Sequence, residues 1–435
     1  MFLVLLKKYQ KHFENIFLIL FIIWCVDLIF FSIEIVNFNN LGILLLVLFS
    51  LLLLLTIYFL FADPELKKNF LILLLSVLFS LILISSIIEF SEKIRPEYNK
   101  KSFEEAKKEY KEKIFMNAPI GIVERLGKKK LNKVDVLPLG GISNHINWMC
   151  NESDKNILYK ADKYGFNNNN HNYLDKNIDL ILIGDSFIFG ECVEQNENIS
   201  SNLRKMGVNS LNFGMVGHGP LLELATLREY GNKFKAKKII WFFFENDFVD
   251  LELEYQVDAL KQYLDQNYSN DLINKQSNIN NFWLNYYNKN IDKEKANKKN
   301  LIKKFERIIL IKPIRDFIER KQTNYYQKNY LIFSEQNINI LNNILKIAKE
   351  NMKNINAELY FVYLPSFFSL DRGDPFFKKE VINIVKNLKI NYLDFSEYLE
   401  TQTNPKECFP LQTHGHYTVT CYKKLSEIIY RKFIN

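Results

Sequence analysis

Hydrophobic and polar positions divide this chain into two regions with different solvents. Residues 15–36, 41–62 and 70–88 form three apolar stretches, each near the roughly 20 residues a helix needs to cross a bilayer. The links at 37–40 and 63–69 are long enough only for turns. A cleaved signal peptide is a poor reading of the start, because no small-residue cleavage site follows and two further stretches come directly after. From about residue 177 the pattern changes. Short β-branched or aromatic runs at 179–184, 209–213, 238–244, 358–364 and 390–395 alternate with helical patterns near 199–205, 221–230, 338–354 and 376–387, and a last helix from about 418 to 433. Continuous apolar strands interleaved with helices predict a parallel sheet covered on both faces, with ligands outside the carboxyl ends of the strands. Residues 251–329, rich in Asn, Lys and Tyr, break the rhythm; their amphipathic stretch at 301–320 predicts a helical insertion beside the sheet. The chain therefore reads as a membrane anchor (1–91), a charged connecting segment (92–160) and an α/β domain (161–435) interrupted at about 251–329.

Charge sharpens this division. The 435 residues are 48% apolar and 24% charged, with a formal charge of +8, which excludes a disordered chain. Five cysteines in that length exclude a disulfide-stapled mini-scaffold. Residues 1–91 carry five Lys/Arg and six Asp/Glu, so the remainder holds a net +9. Lys7, Lys8 and Lys11 precede the first stretch, and Lys67 and Lys68 separate the second from the third. Both clusters can be cytoplasmic only if an even number of spans lies between them, which places everything after residue 91 outside the cytoplasm. Lys93, Arg95, Lys100 and Lys101 are interleaved with Glu92 and Glu97 and read as a solvated connecting helix. Asp27, mid-span, costs about 2.5–3.5 kcal/mol if ionised; with no second central charge to complete a pathway it reads as an interhelical hydrogen bond or a water-reached group. No aromatic-spaced motif accompanies the basic insertion, so nucleic acid is not an expected partner.

The chemistry-bearing residues fall at strand ends. Gly184-Asp185-Ser186-Phe187 follows the first strand, where a serine on the turn into a helix keeps its backbone N–H free and its hydroxyl at the rim of the sheet. On its own Gly-Asp-Ser is also an ordinary turn. Asn212-Phe213-Gly214-Met215-Val216-Gly217-His218-Gly219-Pro220 follows the second strand, Glu245-Asn246-Asp247 the third, and His414-Gly415-His416-Tyr417-Thr418 precedes the last helix. Serine, glycine N–H, amide and histidine in this order resemble the SGNH (GDSL-type) hydrolase family. Asp162-Lys163-Tyr164-Gly165-Phe166 and Gly190-Glu191 are similar to the D-x-Y-G-F lead-in and post-nucleophile turn of a membrane-anchored bacterial subgroup.

The resemblance covers about residues 178–435 apart from the insertion. It implies a three-layer α/β/α, flavodoxin-like fold of about five parallel strands behind an all-α segment of three transmembrane helices. It further implies Ser186 as nucleophile, His416 as general base, and an oxyanion hole of the Ser186 N–H, a glycine N–H and the Asn246 amide. Gly217, five residues after Asn212, matches the oxyanion glycine, with Gly214 the near alternative; Asp185 and His414 are supporting candidates. The family's Asp shortly before the histidine is missing, since Thr413 and His414 stand there. Three readings stay open: a Ser–His dyad held by a backbone carbonyl, a distant carboxylate such as Glu407, Asp371 or Asp374, or an impaired site. His414 and His416 form an H-x-H pair without further zinc ligands, so neither metal nor cofactor is expected. His218 reads as a substrate contact or as a loop histidine satisfied by backbone, and His145 and His171 have no motif around them. A glycine-lysine run at 121–129 lacks the spacing and hydroxyl of a phosphate loop. Cys192 follows the nucleophile turn and Cys421 the base loop, leaving a disulfide near the site open. The expected activity is removal of O-acyl groups, acetyl foremost, from an envelope saccharide or lipid-linked ester at the membrane lipid surface. O-acyl transfer to a surface polysaccharide and non-catalytic polysaccharide binding are the alternatives.

Overall fold

The computed structural model describes residues 2–36, 40–94, 121–150, 155–174, 177–298, 335–412 and 415–435, together with positions 106, 109–110, 114–116, 152, 311–312 and 314. Two units are distinct: Met1–Glu97 with Lys293–Asn329, and Tyr98–Asp292 with Tyr330–Asn435.

The first unit contains helices α1 (Phe2–Val36), α2 (Asn40–Leu60) and α3 (Pro64–Ile94). Two helical stretches, Ile43–Leu60 and Pro64–Ile87, are long and apolar enough to cross a membrane. Leu18, Phe21 and Cys25 of α1 pack on Phe70, Leu71 and Leu74 of α3. Elsewhere large aliphatic side chains such as Leu20, Leu44, Leu51 and Leu73 are exposed, as an apolar surrounding medium would allow. The Lys67 ammonium donates to Asn15 Oδ1 at 3.0 Å. That contact sets Lys67, in the first turn of α3, level with Asn15 at the start of the first apolar stretch. Asp27 lies on an exposed side of α1.

In the second unit a small sheet combines β1 (Phe115–Met116), β2 (Ile146–Cys150) and β3 (Ile157–Lys160), with β2 and β3 antiparallel. The main sheet contains β4 (Leu180–Ile183), β5 (Ser210–Asn212), β6 (Lys238–Phe244), β7 (Glu358–Leu364) and β8 (Asn391–Asp394). Its order is β5-β4-β6-β7-β8, parallel throughout. Its helices include α4 (Ser186–Phe189), α5 (Ile199–Lys205), α6 (Pro220–Glu229), α7 (Asp247–Glu254), α8 (Gln276–Lys298), α9 (Glu335–Asn354), α10 (Lys378–Asn387) and α11 (Val419–Ile429). Side chains alternate along the strands. Leu180, Leu182, Ile240 and Phe242 pack with Ile199 and Leu203 of α5 and Tyr422 and Leu425 of α11. Ile181, Ile183, Trp241 and Phe243 join the opposite cluster with Leu224 of α6, Leu341 of α9 and Val381 of α10. Both faces are covered, which is why each strand reads as an unbroken apolar run. The chain leaves β4 for β5 on one side and returns to β6 on the other, so the carboxyl end of β4 is the topological switch point where open α/β sheets bind ligands.

Two segments contribute more to the core than their polarity announces. Of the segment at 92–160, Leu131, Leu139, Ile142, Met149, Ile157 and Tyr159 are buried in the same cluster as Trp241; their apolar positions are scattered among lysines and carry no clear period. Of the insertion, Leu251, Leu260, Leu272 and Trp283 join that cluster, and the Trp283 indole donates to the Gly140 carbonyl at 2.9 Å. The amphipathic pattern at 301–320 lies outside the described residues except at 311–312 and 314.

The D-x-Y-G-F lead-in is a buttress. Buried Asp162 accepts from the Tyr164 and Phe166 amides at 2.8 and 2.9 Å through one oxygen, and from Asn168 Nδ2 and the Tyr173 hydroxyl at 2.9 and 2.6 Å through the other. Asn168 in turn bonds the backbone of Asn212 in both directions, at 2.7 and 2.8 Å. Burial raises the Asp162 pKa, while these four donors oppose the shift. Asp162→Ala leaves several buried donors without an acceptor, at about 1–3 kcal/mol each. It is expected to lower the apparent Tm by about 10 °C, read by thermal melting of the detergent-solubilised chain; an unchanged Tm would show the turn to be dispensable.

Candidate active site

The turn after β4 is built around Ser186. Asp185 caps the four-residue helix α4, its Oδ1 accepting from the Phe187 amide at 2.9 Å. Gly190 ends that helix in the left-handed region, at φ 80°, a conformation glycine adopts without steric cost. The Gly190 and Glu191 amides then both donate to the Ser186 carbonyl, at 3.1 and 3.0 Å. Glu191 is thereby folded back beside the serine. Asn167 Nδ2 donates to the Phe189 carbonyl at 2.8 Å and Asn212 Nδ2 to the Ile188 carbonyl at 2.7 Å, securing the far end of the helix. A Cβ on Gly214 would stand 2.5 Å from the Phe189 nitrogen, so only glycine lets β5's loop approach α4 this closely.

His416 enters from the segment before α11. Thr418 caps α11, and its amide donates to the Cys408 carbonyl at 2.8 Å. A Cys408–Cys421 disulfide closes the segment. The buried Tyr417 hydroxyl donates to the Pro365 carbonyl at 2.9 Å, and its ring meets Phe187 at 4.7 Å between centroids. Held this way, His416 Nε2 lies 2.9 Å from Ser186 Oγ, across 230 positions of sequence.

On its other side the imidazole meets a residue that sequence reasoning passed over. Glu152 Oε1 is 2.9 Å from His416 Nδ1, and Glu152 Oε2 accepts the His416 backbone N–H at 2.9 Å. Glu191 Oε2 stands 3.2 Å from Nε2. The carboxylates considered from sequence are engaged elsewhere: Glu407 accepts from Asn404 Nδ2 at 3.1 Å and Asp374 pairs with Lys378 at 2.9 Å. The Asp371 side chain, Thr413 and His414 lie outside the described residues. The cysteines pair as Cys150–Cys192 and Cys408–Cys421, not as a bridge from the nucleophile turn to the base loop. Cys150 lies two residues before Glu152 and Cys192 directly after Glu191, so one bridge ties together the segments that carry both carboxylates. Glu191 stands in the Gly190-Glu191 turn noted in the sequence, whereas the trace of Glu152 is its nearness to a cysteine, which becomes informative only once the pairing is known.

Burial lowers the affinity of His416 for a proton, but Glu191, Glu152 and Asp185 outweigh it and carry its pKa up to about 9. Burial pushes Asp185 up to about 6, against the Phe187 amide and the His416 charge. At neutral pH the imidazole is accordingly a cation between carboxylates. His218 is the opposite case. It is buried, its Nε2 has no hydrogen-bond partner among the described residues, and burial pushes it down to about 3, so it stays neutral. Ligand atoms of Glu152, Cys192 and His416 lie within 4.8 Å of one another, but the Cys192 sulfur is bonded to Cys150 and offers no thiolate to a metal.

The remaining rim residues divide. The first N–H of α4, at Ser186, has no intrahelical acceptor. Gly217, at φ 70°, has an amide with no acceptor among the described residues. The Gly214 amide is occupied, donating to Asn212 Oδ1 at 2.8 Å. Asn246 is exposed at the end of β6 and its Nδ2 donates to Asp250 Oδ2 at 3.1 Å along its own helix; no contact among the described residues joins it to Ser186 or His416. His145 Nδ1 lies 2.6 Å from the Ser143 carbonyl and His171 sits in a short 3-10 turn.

The arrangement can take a proton from Ser186 Oγ onto Nε2 while Glu152 holds Nδ1–H. No family profile matches the chain, and no curated protein does. Among solved structures it is similar to a Desulfitobacterium hafniense DCB-2 protein assigned to the G-D-S-L lipolytic family, with 11% identity over 59% of this chain and 100% of that chain and a TM-score of 0.31. So distant a likeness has no bearing on what this chain does.

Proposed function

We propose that the protein is a serine esterase of the SGNH type, anchored by its three N-terminal helices, with the α/β unit outside the cytoplasm. It removes O-acyl groups from a saccharide or lipid-linked ester of the cell envelope. The observation that carries this reading is the continuous chain Glu152–His416–Ser186, with both links at 2.9 Å. Neutral His416 accepts the Ser186 proton as Oγ attacks the ester carbonyl; Glu152 fixes the tautomer and stabilises the imidazolium. The Ser186 and Gly217 amides, with the Asn246 side chain turned from Asp250 to the substrate, receive the oxyanion. Imidazolium then protonates the leaving alcohol, and water resolves the acyl-serine. Two disulfides beside the site fit an oxidising compartment, in keeping with the orientation argued from the lysine clusters.

Fluorophosphonate treatment of the detergent-solubilised chain, followed by peptide mass mapping, tests the proposal. A stable adduct on Ser186 is expected; folded protein that stays unlabelled and releases no p-nitrophenol from p-nitrophenyl acetate would end the esterase reading.

The pH dependence has a definite sign. A base held near 9 is neutral in only about one molecule in a hundred at pH 7. The kcat/KM for p-nitrophenyl acetate should therefore rise about tenfold per pH unit from 7 and level near 9. Glu191, Glu152 and Asp185 are the charged groups facing the ring in this account. A profile already flat between pH 7 and 8 would show the imidazole to be neutral at rest.

A further inference from the structure

Beyond its charge, Glu191 occupies a particular place, on the Nε2 side of His416, 3.2 Å from the nitrogen that also meets Ser186 Oγ. Its backbone is fixed by the bond from its amide to the Ser186 carbonyl at 3.0 Å and by the disulfide at its neighbour Cys192. The acyl-enzyme step of the proposed esterase places its second nucleophile here, because the attacking oxygen must give its proton to Nε2. That oxygen meets two acceptors side by side, the neutral imidazole and the Glu191 carboxylate. Water has two O–H groups and satisfies both. An alcohol, having one, gives it to Nε2 and turns lone pairs toward the carboxylate.

We infer that Glu191 orients the deacylating water and disfavours an alcohol acceptor, making the site a hydrolase rather than an acyltransferase. The inference rests on the esterase reading above. In the step, one water proton passes to Nε2 as the water oxygen bonds the acyl carbon. The tetrahedral adduct then expels Ser186 Oγ, which recovers that proton from the imidazolium. The second water proton leaves with the product acid and ionises to solvent, so an acyl-serine and a water give serine, carboxylate and a proton.

The partition of the acyl group measures this directly. The full-length protein is acylated with p-nitrophenyl acetate in buffer containing methanol, and methyl acetate and acetate are quantified. Wild type should yield predominantly acetate. Glu191→Ala, which loses the carboxylate's hydrogen bond to water and its repulsion of an alcohol lone pair, should raise the methyl acetate to acetate ratio about threefold, and Glu191→Gln, whose amide can in addition donate to that lone pair, about tenfold. The ratio is read on variants whose Tm and acetyl-Ser186 yield match wild type, so that a general loss of structure is not scored. Ratios equal to wild type in both variants would overturn the role of Glu191 while leaving the esterase standing. Wild type that forms no acetyl-Ser186 would overturn both.

Discussion

Ser186→Ala is expected to lower turnover of p-nitrophenyl acetate by about a millionfold, the scale on which serine hydrolases respond to loss of the nucleophile. The expectation follows from how little else the hydroxyl does. Ser186 is 9% exposed, and its Oγ meets His416 at 2.9 Å and Asp185 Oδ2 at a long 3.4 Å. Its removal leaves Nε2 still paired with Glu191, so no buried charge loses its partner and the Tm should move by no more than a degree or two. Binding determinants and oxyanion donors remain, so the variant should keep substrate affinity while losing chemistry. A loss of less than a hundredfold, with fold intact, would assign the reaction to another nucleophile.

How much of this was legible depends on what each residue's role requires of its sequence neighbours. The strands were legible because parallel strands covered on both faces must be apolar along their buried length, as 239–244 is; α5 was legible because its apolar positions, Ile199 and Leu203, recur at helical spacing. Ser186 and His416 could be located because each sits at an element boundary with a recognisable turn. Glu152 could not. It lies on the link between β2 and β3, 264 positions from His416, in a segment whose buried residues are spaced among lysines, and no local pattern reports a contact made by tertiary folding. Glu191 stood in a noted motif, but its charge acts only because Gly190 reverses the chain, a conformational consequence rather than a compositional one. Asn246 shows the converse limit. Its place at a strand end is written in the sequence, whereas the side-chain rotamer that pairs it with Asp250 is not.

Glu152→Gln should reduce kcat by about four orders of magnitude, as loss of the orienting carboxylate does in serine proteases, and the geometry says why an isosteric amide is so poor a substitute. Glu152 uses one oxygen for the His416 backbone N–H and the other for Nδ1. The backbone N–H can only donate, so the amide must turn its oxygen there and its NH2 to the ring. An NH2 at Nδ1 demands a lone pair on Nδ1, which puts the imidazole proton on Nε2, where Ser186 needs an acceptor. The opposite rotamer sets two donors against each other at the backbone. Either way the base is disabled with the fold preserved, and the imidazole pKa falls with the loss of the carboxylate's charge. Glu407→Gln and Asp374→Asn, engaged with Asn404 and Lys378, should retain activity within about threefold. The comparison is made on kcat with p-nitrophenyl acetate at pH 9. An active Glu152→Gln enzyme alongside an inactive Glu407 or Asp374 variant would move the third member of the triad back to the carboxylates that precede the histidine in the sequence.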